Sequence, residues 1–126
     1  IHIIKKNKIS TLVGCNLRFH PCFIEAKKIL LKNKIGRIIS IQSQNSSYLP
    51  DWHPDEDYSK SYSAKKNSGG IVYTCIHEID YLCWFFGTVL DVYSVTGRYS
   101  DLDIKSEDLS ALIMKFNDLF KKKDTR

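Results

Sequence analysis

One segment, residues 71–86, constrains the fold more than any other. It reads IVYTCIHEIDYLCWFF and follows the glycine pair Gly69 and Gly70. Its apolar side chains recur at helical spacing and form one stripe: Ile71, Cys75, Ile79, Leu82 and Phe86, widened by Ile76 and Cys83. Gly87 follows, and glycine commonly ends a helix. The pattern predicts a helix that starts after Gly70, ends at Gly87 and buries its stripe against another layer of the protein.

The neighbouring segments predict a sheet on which this helix packs. Pro21 suits the first position of another helix. The apolar side chains that follow it fall on one helical face, and Gly36 is the predicted end of this helix. Four segments have the alternation or apolar character of strands: 11–19, 37–48, 90–99 and 108–116. The order β-α-β-loop-α-β-β predicts an α/β (α+β) protein. Its sheet is expected to be open, mixed and largely antiparallel, with at least four strands and with helices on one face.

The length of 126 residues suits a single domain. We place that domain at residues 13–116, between an N-terminal extension, residues 1–12, and a basic tail, residues 117–126. The net charge is +5, yet residues 9–114 carry eleven basic and twelve acidic side chains. The excess of positive charge therefore lies at the two ends. A nucleic-acid-binding domain normally carries a basic face, so we expect no nucleic-acid partner.

Two further classes of protein are disfavoured by composition. No apolar run approaches the roughly 20 residues that span a bilayer, and no signal-peptide pattern appears, so a cytoplasmic protein without a membrane partner is expected. The four cysteines have neither a CxxC motif nor zinc-ligand spacing, so no metal site is expected. Their apolar neighbours predict buried, reduced thiols. They are Cys15, Cys22, Cys75 and Cys83.

A long loop is predicted at residues 47–69, which lack periodicity and contain three tyrosines and one tryptophan. Loops of this length inside a compact domain are uncommon unless they are functional. Two interpretations stay open. The aromatic side chains line a pocket, or they tie down an Ω-like loop through Trp52, Tyr58 and Tyr62.

His77 is the candidate for chemistry on the predicted helix. It shares one surface with Asp80 and Tyr81, which lie three and four residues later. The glycine pair, the aromatic loop and a polar cluster after the first predicted strand favour a pocket near it. That cluster is Asn16, Arg18 and His20. The alternative is a structural histidine, fully buried, with both ring nitrogens bonded to main chain or to Asp80 and with no cavity beside it.

Four stretches in a fixed order resemble the substrate-binding half of the glucose–fructose oxidoreductase/inositol dehydrogenase/MocA (GFO/IDH/MocA) family. They are NLRFHP, SSYLPDW, DYSKSYSAKKNSGG and HEIDYLCWFFG, and the resemblance runs from about Val13 to Phe116. Members of that family are NAD(P)-dependent oxidoreductases that act mostly on sugars, inositols and sugar derivatives. The resemblance implies an open mixed sheet, often used for dimerisation, and a helix that carries a catalytic histidine. That histidine falls on His77.

The resemblance also implies roles for other residues. The side chains expected to bind a sugar-like substrate are Arg18, Tyr48, Trp52, Tyr62 and Thr74. The residues expected near the cofactor, NAD or NADP in the full-length protein, are Asn16, Gly69 and Gly70. A homodimer formed through the sheet is the expected assembly.

The chain departs from the family pattern in two ways. The family usually has an aspartate three or four residues before its histidine, where this chain has Thr74 or Tyr73, and threonine cannot act as a carboxylate base. The chain also lacks a GxGxxG turn and a Glu-Lys-Pro motif. We therefore expect a fragment of a longer oxidoreductase, which binds no NAD(P) and is inactive alone. The alternative is a non-catalytic binding or dimerisation module derived from that domain.

Overall fold

The computed structural model describes residues 2–117, and helices precede a sheet in its chain order. The helices and strands are α1 (His2–Lys6), α2 (Pro21–Leu31), α3 (Ile71–Thr74), α4 (Ile76–Phe86), β1 (Val89–Gly97) and β2 (Leu109–Phe116). Short 3₁₀ turns occupy Asn16–Phe19, Leu49–Asp51 and Tyr58–Lys60. Helices combined with an antiparallel sheet confirm the predicted α/β (α+β) class. No helix in this described part of the chain is long and apolar enough to cross a membrane.

Helix α2 forms where the proline predicted it. Pro21 occupies the first turn, and Nδ1 of His20 accepts a hydrogen bond from the main-chain N–H of Cys22 at 3.2 Å, which caps the helix. The helix ends at Leu31, earlier than the Gly36 stop. A turn follows in which Asn33 has φ 52°. The N-terminal cap and the proline act within one turn, so sequence alone could place this helix.

The predicted helix over residues 71–86 is two helices. It breaks at Cys75, so that Ile71–Thr74 form α3 and Ile76–Phe86 form α4. Gly70, with φ 92°, precedes α3, and the main-chain N–H of Ile71 bonds to the carbonyl of Glu107 at 3.0 Å. The start of α3 is therefore fixed by a contact with a segment distant in sequence.

The sheet is a two-stranded hairpin in the described residues, and the expectation of at least four strands is wrong. β1 and β2 pair antiparallel from Val89 with Phe116 to Gly97 with Leu109. Of the other predicted strands, residues 11–19 end in a 3₁₀ turn, and residues 37–48 form no strand. Within residues 2–117, no main-chain hydrogen bond to another main-chain group involves residues 38–47. Alternating side chains give a segment strand propensity, but a strand needs a partner main chain.

The two long helices pack through aromatic side chains. The ring of Phe23 on α2 lies 4.9 Å from that of Tyr81 and 6.1 Å from that of Phe85 on α4. Lys27 Nζ sits 4.2 Å from the Trp84 ring centroid and donates to the Trp84 carbonyl at 2.5 Å. Burial of Lys27 lowers the pKa of its amine. The contacts join α2 to α4 and hold α4 in place.

Few apolar side chains of the described residues are buried, namely Ala64, Phe86 and Ile104. The stripe on α3 and α4 is otherwise half-buried or exposed, because a groove runs beside it. The prediction of buried cysteines is also wrong. All four thiols are free, but Cys22 is exposed and the other three are half-buried. With a two-stranded sheet, α4 lacks the covering layer that the sequence pattern anticipated.

The expected domain limits, residues 1–12, 13–116 and 117–126, stay predictions. The first of these segments contains α1, which has no buried residue. Of the basic tail, Asn117 is described, and residues 118–126 lie outside the described part of the chain.

Candidate functional site

His77 lies in the first turn of α4 and is half-buried. Its Nδ1 is buried, and so is Oγ1 of Thr74, three residues earlier at the end of α3; neither atom has a hydrogen-bond partner in the described structure. The structural alternative expects full burial, partners for both ring nitrogens and no cavity beside the ring; His77 is half-buried and its Nδ1 has no partner in the described structure, and its role as a site residue stays a prediction. Buried polar atoms are normally paired, so two unpaired atoms at one helix junction are unusual.

Arg18 and Asp80 form a bidentate ion pair beside His77. Arg18 Nε donates to Asp80 Oδ2 at 2.9 Å, and its Nη2 donates to Oδ1 at 2.5 Å. The Asp80 side chain is 12% exposed. The Arg18 guanidinium holds the pKa of the Asp80 carboxyl below its ordinary value, and Asp80 raises the pKa of Arg18. The carboxylate therefore bonds to Arg18, and the pair fixes the 3₁₀ turn at Asn16–Phe19 against α4.

Three thiols have pKa values raised above their ordinary value. A side-chain hydrogen bond with Asp80 raises the pKa of Cys15, and burial raises the pKa values of Cys75 and Cys83. Reactive cysteines have lowered pKa values, because the thiolate is the nucleophile. Nucleophilic catalysis by these three thiols is therefore disfavoured.

Residues 37–48 contribute polar contacts to α4 that the sequence did not indicate. Ser43 Oγ and the Tyr81 hydroxyl lie 2.5 Å apart, and Asn45 Nδ2 donates to Glu78 Oε1 at 3.1 Å. The second carboxylate oxygen of Glu78, Oε2, is buried without a partner in the described residues. No motif connects these positions, which are more than 30 residues apart, so sequence periodicity could not have found them.

The aromatic loop forms a small pocket of its own. Trp52 and Tyr62 line a cavity of about 80 Å³ together with Leu49, His53, Glu56, Tyr58, Ser61 and Ser63. The Ser61 hydroxyl is buried there without a partner in the described structure. Pockets for drug-sized ligands usually measure about 300–1,000 Å³. This cavity accommodates at most part of a substrate.

The aromatic loop, residues 47–69, is held in place mainly by hydrogen bonds of its main chain. The carbonyl of Ser63 accepts from Gly70 N–H at 2.9 Å and from Ser106 Oγ at 2.6 Å. Of the three aromatic anchors proposed from the sequence, Tyr58 accepts at its hydroxyl from Asp103 N–H at 3.3 Å. Trp52 and Tyr62 are 37% and 58% exposed, so they remain available to a ligand.

The predicted site residues fall into separate groups. Thr74 and His77 lie at the junction of α3 and α4, and Arg18 bonds to Asp80 further along α4. Trp52 and Tyr62 line the loop pocket instead. The two other predicted polar contacts, Asn16 and Tyr48, are exposed. No group of three or more His, Cys, Asp or Glu side chains that could hold a metal ion occurs in residues 2–117.

The glycine pair, Gly69 and Gly70, packs closely against other segments of the same chain. A Cβ at Gly69 would meet the main chain of Tyr62 and Ser63, and a Cβ at Gly70 would meet the carboxylate of Glu107. Gly70 also has φ 92°, a conformation that favours glycine. Both glycines thus lie against other parts of the chain, and their assignment to the cofactor stays a prediction.

Comparison with family models matches residues 23–121 to the GFO/IDH/MocA C-terminal domain. The chain belongs to this family. The match confirms the resemblance drawn from the sequence motifs, and it identifies residues 23–121 as a domain of the kind that forms the C-terminal part of GFO/IDH/MocA oxidoreductases. The matched range includes Thr74 and His77, whereas Arg18 lies before its first residue. Comparison with curated proteins and with solved structures found no match.

Proposed function

We propose that this GFO/IDH/MocA domain is the substrate-binding and dimerisation part of an NAD(P)-dependent oxidoreductase that acts on a sugar or sugar derivative. The observation that carries the proposal is the pair of buried, unpaired atoms His77 Nδ1 and Thr74 Oγ1. Leaving a buried polar atom without a hydrogen bond costs about 1–3 kcal/mol, and a hydrogen bond to a substrate hydroxyl would remove this cost. A polyhydroxylated ligand offers donors and acceptors for both.

The contribution of this domain to the reaction is substrate binding and proton transfer. His77 accepts the proton of the substrate hydroxyl as the carbinol carbon is oxidised, and it returns a proton in the reverse direction. Thr74 holds a neighbouring hydroxyl. The Arg18–Asp80 pair fixes the turn beside α4 so that the imidazole keeps its place. The hydride chemistry belongs to NAD(P) held by a separate nucleotide-binding half, since residues 1–126 contain no GxGxxG turn.

Ligand-observed NMR tests substrate binding by the domain itself. With myo-inositol and D-glucose as probes, we expect saturation transfer to at least one of them. Thr74→Val keeps the side-chain shape and removes the hydroxyl, so it should weaken that binding about tenfold, the effect of one lost hydrogen bond. Ser59→Ala, which removes a hydroxyl that bonds to Asp57 in the 3₁₀ turn Tyr58–Lys60, is the control. Absence of transfer, or equal affinity in Thr74→Val, contradicts the proposed site.

Dimerisation is proposed to use the outer face of the hairpin. Tyr93, Val95 and Ile113 are 69%, 60% and 73% exposed, and Tyr93 is the direct cross-strand neighbour of Ile113. Leu109 lies on the same face and is 45% exposed. Contiguous exposed apolar patches mark protein interfaces, and a second copy of the domain would cover this one.

Sedimentation velocity tests the dimer. At tens of micromolar, on the order of −6 kcal/mol of association free energy is enough for a dimer to dominate. We expect a dimer for the wild type and a monomer for Ile113→Asp, because a carboxylate would be placed in the apolar contact. Ile3→Asp, at a 69% exposed position on α1, should leave the dimer intact. A monomeric wild type would refute the interface.

One observation favours the alternative of a binding or dimerisation module without catalysis. Threonine stands at position 74, where it can bond a hydroxyl but cannot serve as a carboxylate base. Both candidates predict ligand binding at α3 and α4. Turnover in a protein that includes a nucleotide-binding half separates them.

A further inference from the structure

A carboxylate from a segment distant in sequence lies against the start of α3. Residues 98–108 connect β1 to β2, and Glu107 is near the end of this connection. A Cβ built on Gly70, the residue before α3, would collide with both carboxylate oxygens of Glu107. The main-chain N–H of Ile71 also donates to the carbonyl of Glu107, at 3.0 Å. The absence of a side chain at Gly70 therefore leaves the space that the Glu107 carboxylate occupies.

The main chain on both sides of Glu107 is anchored. Before it, Ser106 Oγ donates to the carbonyl of Ser63 at 2.6 Å, and Ser106 is only 3% exposed. After it, the N–H of Asp108 donates to the carbonyl of Gly97 at 3.1 Å. These bonds fix the backbone from which the Glu107 side chain extends. A group held in this way binds a ligand at a lower cost in conformational entropy.

The Glu107 carboxylate differs from other carboxylates of the domain in its partners. Asp80 pairs with Arg18, and Asp57 pairs with Lys60. Glu107 is half-buried, and its carboxylate forms no hydrogen bond or ion pair in the part of the chain that the structure describes. Partial removal of a carboxylate from water costs free energy unless hydrogen-bond donors replace the water. Donors on a ligand would supply this compensation.

Glu107 lies beside the segment that joins the loop pocket to the junction of α3 and α4. The N–H of Thr74 donates to the carbonyl of Gly70 at 3.0 Å, so Thr74 lies one turn, about 6 Å, further along the helix. His77 follows Thr74 by three residues. On the other side, the N–H of Gly70 donates to the carbonyl of Ser63, which lines the loop pocket. A ligand that contacts both the pocket and Thr74 therefore passes Gly70 and the carboxylate beside it.

We propose that Glu107 is a specificity-determining residue, whose carboxylate accepts hydrogen bonds from two adjacent hydroxyls of the substrate. This inference rests on the proposed function and deepens it, because it defines the substrate as a vicinal diol. An ionised carboxylate only accepts hydrogen bonds, and it has two oxygens side by side, which match two neighbouring hydroxyls. Such charge-assisted bonds are roughly twice as strong as bonds between neutral groups. The unpaired hydroxyls of Thr74 and Ser61 are suited to other hydroxyls of the same ligand.

Ligand-observed NMR affinities of a Glu107 variant test the proposal, with D-glucose and myo-inositol as probes. Glu107→Gln keeps the shape of the side chain, removes its charge and replaces one acceptor oxygen with a donor. It should weaken binding of the probe that the wild type binds by at least about tenfold. Asp101→Asn makes the same change at an exposed position of the same connection, so it should retain the affinity. Equal affinity of Glu107→Gln and the wild type overturns the proposal.

Monodeoxy analogues of the same probe identify the hydroxyls that Glu107 binds. In the wild type, the two analogues that each lack one of the adjacent hydroxyls should bind about tenfold more weakly than the probe. In Glu107→Gln the same two analogues should show little further loss, because the contact is already gone. Equal losses in both proteins for every analogue would contradict the contact. If D-glucosamine binds the wild type more tightly than D-glucose, and loses more affinity in Glu107→Gln, the ligand is a cation and the diol is wrong.

Carbon NMR of the wild type decides the question even if the variant fails to fold. Adding the probe should shift the side-chain carboxyl resonance of Glu107. The resonance of Glu25, which is 60% exposed on α2, should not move. No shift at Glu107 when the probe is bound overturns the inference. Weaker binding in Thr74→Val but not in Glu107→Gln overturns this inference alone, whereas a wild type that binds neither probe refutes the proposed function as well.

Discussion

Replacing His77 with alanine will lower turnover at least about 100-fold when the domain is present in an enzyme with its nucleotide-binding half. Removal of a general acid or base costs about 10²–10⁴-fold. His77 is half-buried with an unpaired Nδ1, so its loss breaks no hydrogen bond of the described fold. Turnover should therefore fall while folding is preserved. The measurement is kcat from NAD(P)H absorbance with a polyol substrate, accompanied by circular dichroism.

His2→Ala provides a matched control, because His2 is exposed on α1. It should leave kcat unchanged. Unchanged turnover in His77→Ala would show that the histidine is structural. An inactive wild type in the same fusion would favour the non-catalytic module.

Replacing Phe86 with alanine will destabilise the domain by about 3 kcal/mol or more, the usual cost of emptying a buried phenylalanine site. Phe86 is 7% exposed, and its ring centroid lies 6.0 Å from that of Phe85 and 5.9 Å from that of Phe116. It therefore connects the end of α4 to β2. A loss of this size is a large part of the roughly 5–15 kcal/mol that stabilises a typical domain.

Urea denaturation followed by circular dichroism measures this change in unfolding free energy. Phe19→Ala is the control, because Phe19 is 81% exposed. Surface substitutions usually change stability by about 0.5 kcal/mol or less. Equal destabilisation by the two variants would show that Phe86 does not join the helix to the sheet.

The elements that sequence predicted correctly depend on local interactions. Pro21 and the His20 cap define the start of α2, and Gly87 follows the end of α4. The two strands of the hairpin are also separated by a short stretch of chain, residues 98–108. Each of these features forms from neighbouring residues, so composition and periodicity suffice to locate it. The family motifs are also short stretches of chain, so the family could be recognised from the sequence.

The arrangement around His77 was only partly predictable. Helical spacing placed His77 and Asp80 on one surface, but it did not identify the partner of Asp80. That partner, Arg18, is 62 residues away, and the bidentate bond exists because the 3₁₀ turn packs on α4. The break at Cys75 and the contact of Ile71 with Glu107 likewise depend on segments brought together by folding.

The sequence by itself determined which segments can be helices, which have strand propensity, and to which family the chain belongs. Tertiary structure alone decided which of those segments are paired. Residues 37–48 alternate like a strand, yet residues 38–47 form no main-chain hydrogen bond with another main-chain group of residues 2–117, and a helical stripe faces a groove. Helical hydrogen bonds join residues four apart, whereas strand hydrogen bonds need a partner at any distance along the chain. That difference is why sequence patterns located α2 and α4 but overestimated the number of strands in the sheet.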